Sequence, residues 1–186
     1  NKDLPINFSP LVFGSWMGGD RDGNPNLTAK TTKEVILLSR WDAASLYEQE
    51  FTKLIQSLSL HDCSKKIQKV VGQTWEPSRV FLRPIRHKLN KTEKEIESCL
   101  KENRMPKQTL LVQSINEIIE PLNDVYNSLS LVKCQIIADG IVLDLIRRAH
   151  TFGLNLTKVD IRQEAARLYK LITSVCKNLG IADYSK

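Results

Sequence analysis

The sequence predicts a mainly α-helical chain that carries two short β-strands far apart along it. Three observations predict this class. Apolar residues recur three and four positions apart over most of the 186 residues, the pattern of helices with one buried face. Glycine (8) and proline (7) are sparse, which suits long helices better than a many-turned β fold. Only two segments read as strands. Residues 11–17 form a buried-looking apolar run ended by Gly18 and Gly19, and residues 154–162 alternate apolar and polar side chains with β-branched residues. Two lone strands make a poor sheet, so residues 1–186 are expected to be a single internal piece of a larger protein. The opening Asn-Lys-Asp-Leu-Pro, without an initiator Met or a signal pattern, leads to the same expectation.

Each helix has its own signals. Thr28, Thr31 or Thr32 is placed to cap a long helix. Its apolar face is Tyr47, Phe51, Leu54, Ile55 and Leu58, extended by Val35, Leu38 and Trp41, and a break is expected at residues 61–64. A short helix around Ile67, Val70 and Val71 stops near Gly72. Pro77 suits the first turn of the next helix, which carries Val80, Phe81, Ile85, Leu89, Ile96 and Leu100. Pro84 inside it predicts a kink or local break. Ser114 and Glu117 have capping-box spacing and open a helix to about Leu131. Asp139-Gly140 marks a turn. A helix over residues 141–152 is closed by Gly153, and a last one runs from Ala165 to about Leu179 and ends at Gly180.

Composition narrows the function classes. A hydrophobic fraction of 41% with 26% charged residues describes a globular protein and excludes a disordered one. No apolar run approaches the ~18 residues of a membrane span. The formal charge of +6 suits nucleic acid, acidic membranes or phosphorylated metabolites, but carboxylates are interleaved with the cations, as on a solvated surface. Cys63, Cys99, Cys134 and Cys176 lie far apart without a C-x-x-C pair, which suits reduced thiols in a cytoplasmic protein. His61, His87 and His150 form no metal-ligand pattern. Arg79, Arg83 and Arg86 make a basic stripe at helical spacing; it reads as solvent-facing, with an anion site as the other reading.

Two dense polar motifs remain. FGSWMGGDRDGNPN, residues 13–26, begins Asp20-x-Asp22-x-Asn24 like a calcium loop. That loop requires Gly sixth and Glu twelfth, where this chain has Pro25 and Thr31. It lacks the Gly-Lys-Ser/Thr close of a P-loop as well. What is left is a glycine-rich turn after a strand, with Arg21 between two carboxylates. It reads either as an anion-binding turn or as a tight turn with internal Asp–Arg pairing. Trp16 is either core or a ligand wall. The second motif, Asp160-Ile161-Arg162-Gln163-Glu164, ends the other strand. Arg162 is a permanently charged fork suited to phosphate or carboxylate, or alternatively to a salt bridge with Glu164 or a neighbouring helix.

Taken together, FGSWMGGDRDGNPNLT (residues 13–28), LLSRWDA (37–43), IIADGIVLDLIRR (136–148) and FGLNLTKVDIRQE (152–164) resemble, in order, segments of the phosphoenolpyruvate carboxylase family. The resemblance covers nearly the whole chain. It implies a much longer enzyme built on an α/β barrel wrapped by helices, cytoplasmic, homotetrameric and allosteric. That enzyme is a lyase that joins phosphoenolpyruvate and bicarbonate into oxaloacetate and phosphate with Mg²⁺ or Mn²⁺, feeding the tricarboxylic acid cycle. The phosphoryl group passes to bicarbonate, and the resulting enolate captures the carbon dioxide then released.

By the same resemblance, Arg162 binds the substrate phosphate and Trp16 walls the apolar pocket. Gly18 and Gly19 belong to the loop beside that pocket, and Arg21 positions an anion at its rim. The family commonly continues DIRQE with Ser-x-Arg-His, whereas here Ala165 and Leu168 stand where the Ser and His would be and Arg167 remains. The family's Thr-Ala-His-Pro-Thr segment, its carboxylate metal ligands and its Gly-Tyr-Ser-Asp-Ser segment have no match. No catalytic group and no metal ligand is therefore assigned within the 186 residues, and the piece alone is expected to be inactive. The rival expectation is a basic helical module that binds nucleic acid or anionic surfaces, with its cations gathered on one face and steeply salt-dependent affinity.

Overall fold

The computed structural model describes residues 4–181. In chain order it contains β1 (Gly14–Ser15), α1 (Ala29–Ser57), α2 (Lys65–Val71), α3 (Pro77–Glu102), a 3₁₀ turn (Gln108–Leu110), α4 (Asn116–Leu131), the helical turn α5 (Gln135–Ile137), a wide π-type turn (Ala138–Val142), α6 (Leu143–Phe152), β2 (Lys158–Val159) and α7 (Ala165–Leu179). The chain divides into two compact units. One takes Leu37–Thr157 with the chain up to Phe13; the other takes Gly14–Ile36 with the chain from Lys158 onward.

The first unit is helical around one apolar core. Phe51, Leu54 and Leu58 of α1 meet Ile67 of α2, Leu82 and Leu89 of α3, Leu122 and Val125 of α4, and Ile146 of α6, all nearly or fully excluded from water. Such burial contributes about 1.5–3 kcal/mol per large apolar side chain. The local signals act where the sequence puts them. Ser64 Oγ accepts from the Ile67 amide, and Gly72 closes α2 with φ +72°. Glu117 Oε1 reaches back to the Ser114 amide (3.3 Å), while Ser114 Oγ takes the Asn116 amide (3.2 Å).

Two buried polar side chains of this unit, Thr92 and Glu95, are fully partnered. Thr92 Oγ1 donates to the Lys88 carbonyl (2.9 Å) and accepts from the Val112 amide (2.9 Å). The Glu95 carboxylate takes Arg104 Nη1 (2.6 Å), the Lys107 amide (2.8 Å) and the Cys99 thiol (3.4 Å). These donors, Arg104 first and the Lys107 amide second, push its pKa down to about 2. All four cysteines are free thiols.

Several expectations change. Pro84 does not interrupt α3: it lies on the exposed side, where water can meet the Val80 carbonyl it leaves without a helical donor. Leu89 and Ile96 of α3 are buried as expected and Phe81 and Ile85 pack half-buried on the core, while the fully buried Leu82 was not foreseen. Leu38 and Val70 are exposed.

The strands are much shorter than residues 11–17 and 154–162. Leu154 and Leu156 pack on the helical core of the first unit instead, with Leu156 at φ +58°, a turn no strand tolerates. Leu11, Val12 and Met17 are more than half exposed, so the run expected to be a buried strand is not buried. Apolar composition favours burial, yet it does not supply the neighbour that covers it.

The second unit joins the strands. Gly14 pairs with Lys158 and Ser15 with Val159 in parallel, and an isolated parallel bridge adds Asp20 opposite Arg162. Thr28 starts α1, its Oγ1 accepting from the Thr31 amide (3.2 Å). In α7 no side chain is buried: Leu168, Leu171, Ile172, Val175 and Leu179 are all exposed.

Candidate functional site

The glycine-rich segment is held against the chain that follows β2 by main-chain bonds. The Asp160 amide donates to the Ser15 carbonyl (2.9 Å), the Arg162 amide to the Gly19 carbonyl (3.0 Å), and the Arg21 amide to the Arg162 carbonyl (2.9 Å). Between these bonds the chain folds back on itself, the Trp16 carbonyl accepting from the amides of Gly19 (2.9 Å) and Asp20 (3.1 Å). The two adjacent glycines make this possible. Gly18 has φ +74°, and a Cβ there would stand 2.7 Å from a methyl of Val35. At Gly19 a Cβ would stand 2.1 Å from the Asp160 carbonyl oxygen. Both glycines are buried, Gly18 under the Val35 side chain and Gly19 against the Asp160 backbone.

Trp16 and Arg162 thereby come together from neighbouring chain segments. The Arg162 guanidinium carbon lies 5.3 Å from the Trp16 ring centroid, within cation–π range. The indole is 61% exposed and the Arg162 side chain about half exposed, so both present surface to solvent. Arg162 Nη1 also lies 3.7 Å from Asp20 Oδ2. Of the salt-bridge partners expected as the alternative reading, Glu164 is not the one Arg162 takes, since it sits 3.6 Å from Arg167 Nε instead. The signal missed was the bridge that sets Asp20 opposite Arg162, a register that local pattern does not carry.

Arg21 turns to α1. Its Nη2 donates to Thr32 Oγ1 (2.7 Å), a buried hydroxyl that in turn donates to the Thr28 carbonyl (3.3 Å). Internal Asp–Arg pairing is replaced by two separate arrangements: Arg21 with Thr32, and Asp20 with Arg162. Asp20 Oδ1 accepts from the Asp22 amide (3.3 Å), and Asn24 Oδ1 from the Asn26 amide (3.1 Å), short turns that hold the rest of the loop.

Elsewhere some of the cations pair with neighbouring carboxylates or carbonyls. Arg79 pairs with Glu76 and donates to the Gln56 carbonyl (2.6 Å), and Arg86 lies 3.8 Å from Glu48. His61 packs against Trp75, ring centroids 5.3 Å apart. Among the described residues no group of three His, Cys, Asp or Glu side chains is placed to hold a metal ion. Within the first unit, Phe13 stacks on Phe152 (5.3 Å) beside an apolar groove of about 360 Å³ that includes Leu46 and Leu145.

These features define a helical segment that carries an arginine–tryptophan surface on a two-stranded parallel pairing. The family model for phosphoenolpyruvate carboxylase matches residues 1–186. Relatives described as phosphoenolpyruvate carboxylase include those of Hahella chejuensis, 44% identical over 185 residues, and Psychromonas ingrahamii, 42% over 183. That of Edwardsiella ictaluri is 40% identical over 182. The matches cover 100%, 98% and 97% of this chain and 21% of each relative. The chain belongs to the phosphoenolpyruvate carboxylase family, and it spans about a fifth of the length of these relatives.

Proposed function

We propose that this chain serves as part of the substrate pocket of a phosphoenolpyruvate carboxylase, a lyase that forms oxaloacetate and phosphate from phosphoenolpyruvate and bicarbonate. The observation that carries the reading is the Arg162 guanidinium laid over the Trp16 indole at 5.3 Å. A forked cation beside an exposed apolar face matches a substrate with a phosphate at one end and a methylene at the other. Arg162 binds the phosphate oxygens and steadies their charge as the bond from phosphorus to the enol oxygen breaks and bicarbonate takes the phosphoryl group. Trp16 walls the apolar side, keeping water from the enolate until its methylene carbon bonds carbon dioxide.

Gly18 and Gly19 let the loop lie close enough for this. Arg21 acts through Thr32 as the anchor of the loop on α1. The divalent cation, Mg²⁺ or Mn²⁺, stabilises charge on the substrate oxygens when bound, with ligands from parts of the enzyme outside this segment. The two strands belong to the enzyme's barrel, and the whole protein acts as a cytoplasmic, allosterically controlled homotetramer without nucleic-acid or membrane partners. Lysines and arginines paired along helix faces, such as Lys101 with Glu97 and Arg148 with Glu50, support that last point over a basic binding module. No helix is long and apolar enough to cross a membrane among the described residues.

The test is Arg162→Ala in the full-length enzyme. Turnover efficiency with phosphoenolpyruvate should fall at least about 100-fold, the scale of losing a charge-stabilising donor. Near-normal kinetics would remove the assignment. The 186-residue piece by itself should form no oxaloacetate.

A further inference from the structure

In the second unit the Asp20 carboxylate is set against Arg162 by backbone and side-chain contacts. The main chains bridge, so their separation is set by backbone rather than by side-chain reach. Asp20 Oδ1 is held by the Asp22 amide at 3.3 Å, which fixes the carboxylate rotamer. The other oxygen, Oδ2, stands 3.7 Å from Arg162 Nη1. That distance is an ion pair but too long for a hydrogen bond, so the carboxylate opposes the guanidinium charge without consuming its N–H donors. The indole of Trp16 covers one side of the same guanidinium. Arg162 is thus oriented, partly neutralised and still able to donate.

We infer that Asp20 is a positioning residue that acts on substrate through Arg162: a built-in counter-charge that competes with the incoming phosphate and weakens the hold of Arg162 on anions. This rests on the reading of Arg162 as the phosphate ligand. Without a ligand, the local charge of the pair is near zero. When a phosphate dianion arrives, the guanidinium is shared between it and Asp20, and the carboxylate repels the dianion. The arrangement lowers affinity for the product, inorganic phosphate, as well as for the substrate, and so favours release. Asp22 is the natural control, since its carboxylate is exposed and its amide serves only the turn.

The experiment uses the full-length enzyme carrying this segment, with inorganic phosphate as a competitive inhibitor. Asp20→Asn keeps an acceptor for the Asp22 amide and removes only the charge. It should lower both the KM for phosphoenolpyruvate and the inhibition constant for phosphate about 2- to 10-fold. A gain of affinity is not an outcome of misfolding or of a purely structural role. Asp22→Asn should leave both constants unchanged, and adding Arg162→Ala should abolish the effect of Asp20→Asn. Constants unchanged or raised in Asp20→Asn would overturn the inference. If Arg162→Ala raises both constants while Asp20→Asn lowers neither, only the role of Asp20 fails. If Arg162→Ala itself changes nothing, the reading of the site fails first.

Discussion

Replacing Gly19 by Ala tests the geometry on which the site depends. A Cβ at this position would lie 2.1 Å from the Asp160 carbonyl oxygen and 2.9 Å from a Val159 methyl. Non-bonded heavy atoms rest near ~3.5 Å, so the two chain segments must part by more than about 1 Å. Three main-chain bonds span the gap: Asp160 to Ser15, Arg162 to Gly19 and Arg21 to Arg162. Two or three of them open, at about 1 kcal/mol each, which sums to about 2–3 kcal/mol of local stability. Amide hydrogen exchange at Arg21, Asp160 and Arg162 should therefore accelerate about 30- to 150-fold, while the helical core of the first unit keeps its protection. Gly23→Ala is the comparison. Its Cβ would meet nothing within 4 Å, so only the left-handed φ of +67° is strained and the ladder stays closed. Exchange at the parent rate in Gly19→Ala would refute the steric reasoning. In the full-length enzyme, a 1 Å shift of Trp16 against Arg162 should cost turnover about 100-fold.

Two further outcomes test the helical unit. The Glu95 pKa lies below its ordinary value, so the Arg104 clasp stabilises the fold above about pH 4.5 and that contribution fades as the pH falls toward about 2. Glu95→Gln should lower the Tm at pH 7 and flatten its fall across this acid range, as followed by circular dichroism; an unchanged acid limb would sink the assignment. Leu54 is fully buried between helices, and Leu54→Ala should cost about 2–5 kcal/mol in denaturant unfolding. A loss below about 0.5 kcal/mol would mean that the core is not packed as described.

Helix existence and helix ends were legible because their causes are local. The Ser114–Glu117 pair, Pro77, Gly153 and Gly180 each act within one turn of where they stand, and the structure starts or stops helices at those residues or within a residue or two of them. The break expected at Pro84 did not follow, because a proline breaks a helix only where its missing bond cannot be replaced, and exposure is not written in the local sequence. The strand pattern of residues 154–162 misled in the same way. The alternation is real, but Leu154 and Leu156 found their burial on the helical core, which leaves only Lys158–Val159 in the ladder. At the site, residue types were legible and partners were not. Two glycines, a tryptophan and an arginine fork implied close backbone approach and anion chemistry, whereas Thr32 as the partner of Arg21 and Asp20 as the partner of Arg162 were not foreseen.

By itself the sequence determined the helical class, most helix boundaries and the family resemblance, since each depends on neighbours a few positions apart. Only the tertiary structure decided the parallel register of Gly14 with Lys158, the exposure of Trp16 and the placing of its indole beneath Arg162. Those depend on which distant segments meet, and hydrogen bonds between backbones carry no side-chain code from which that meeting can be read.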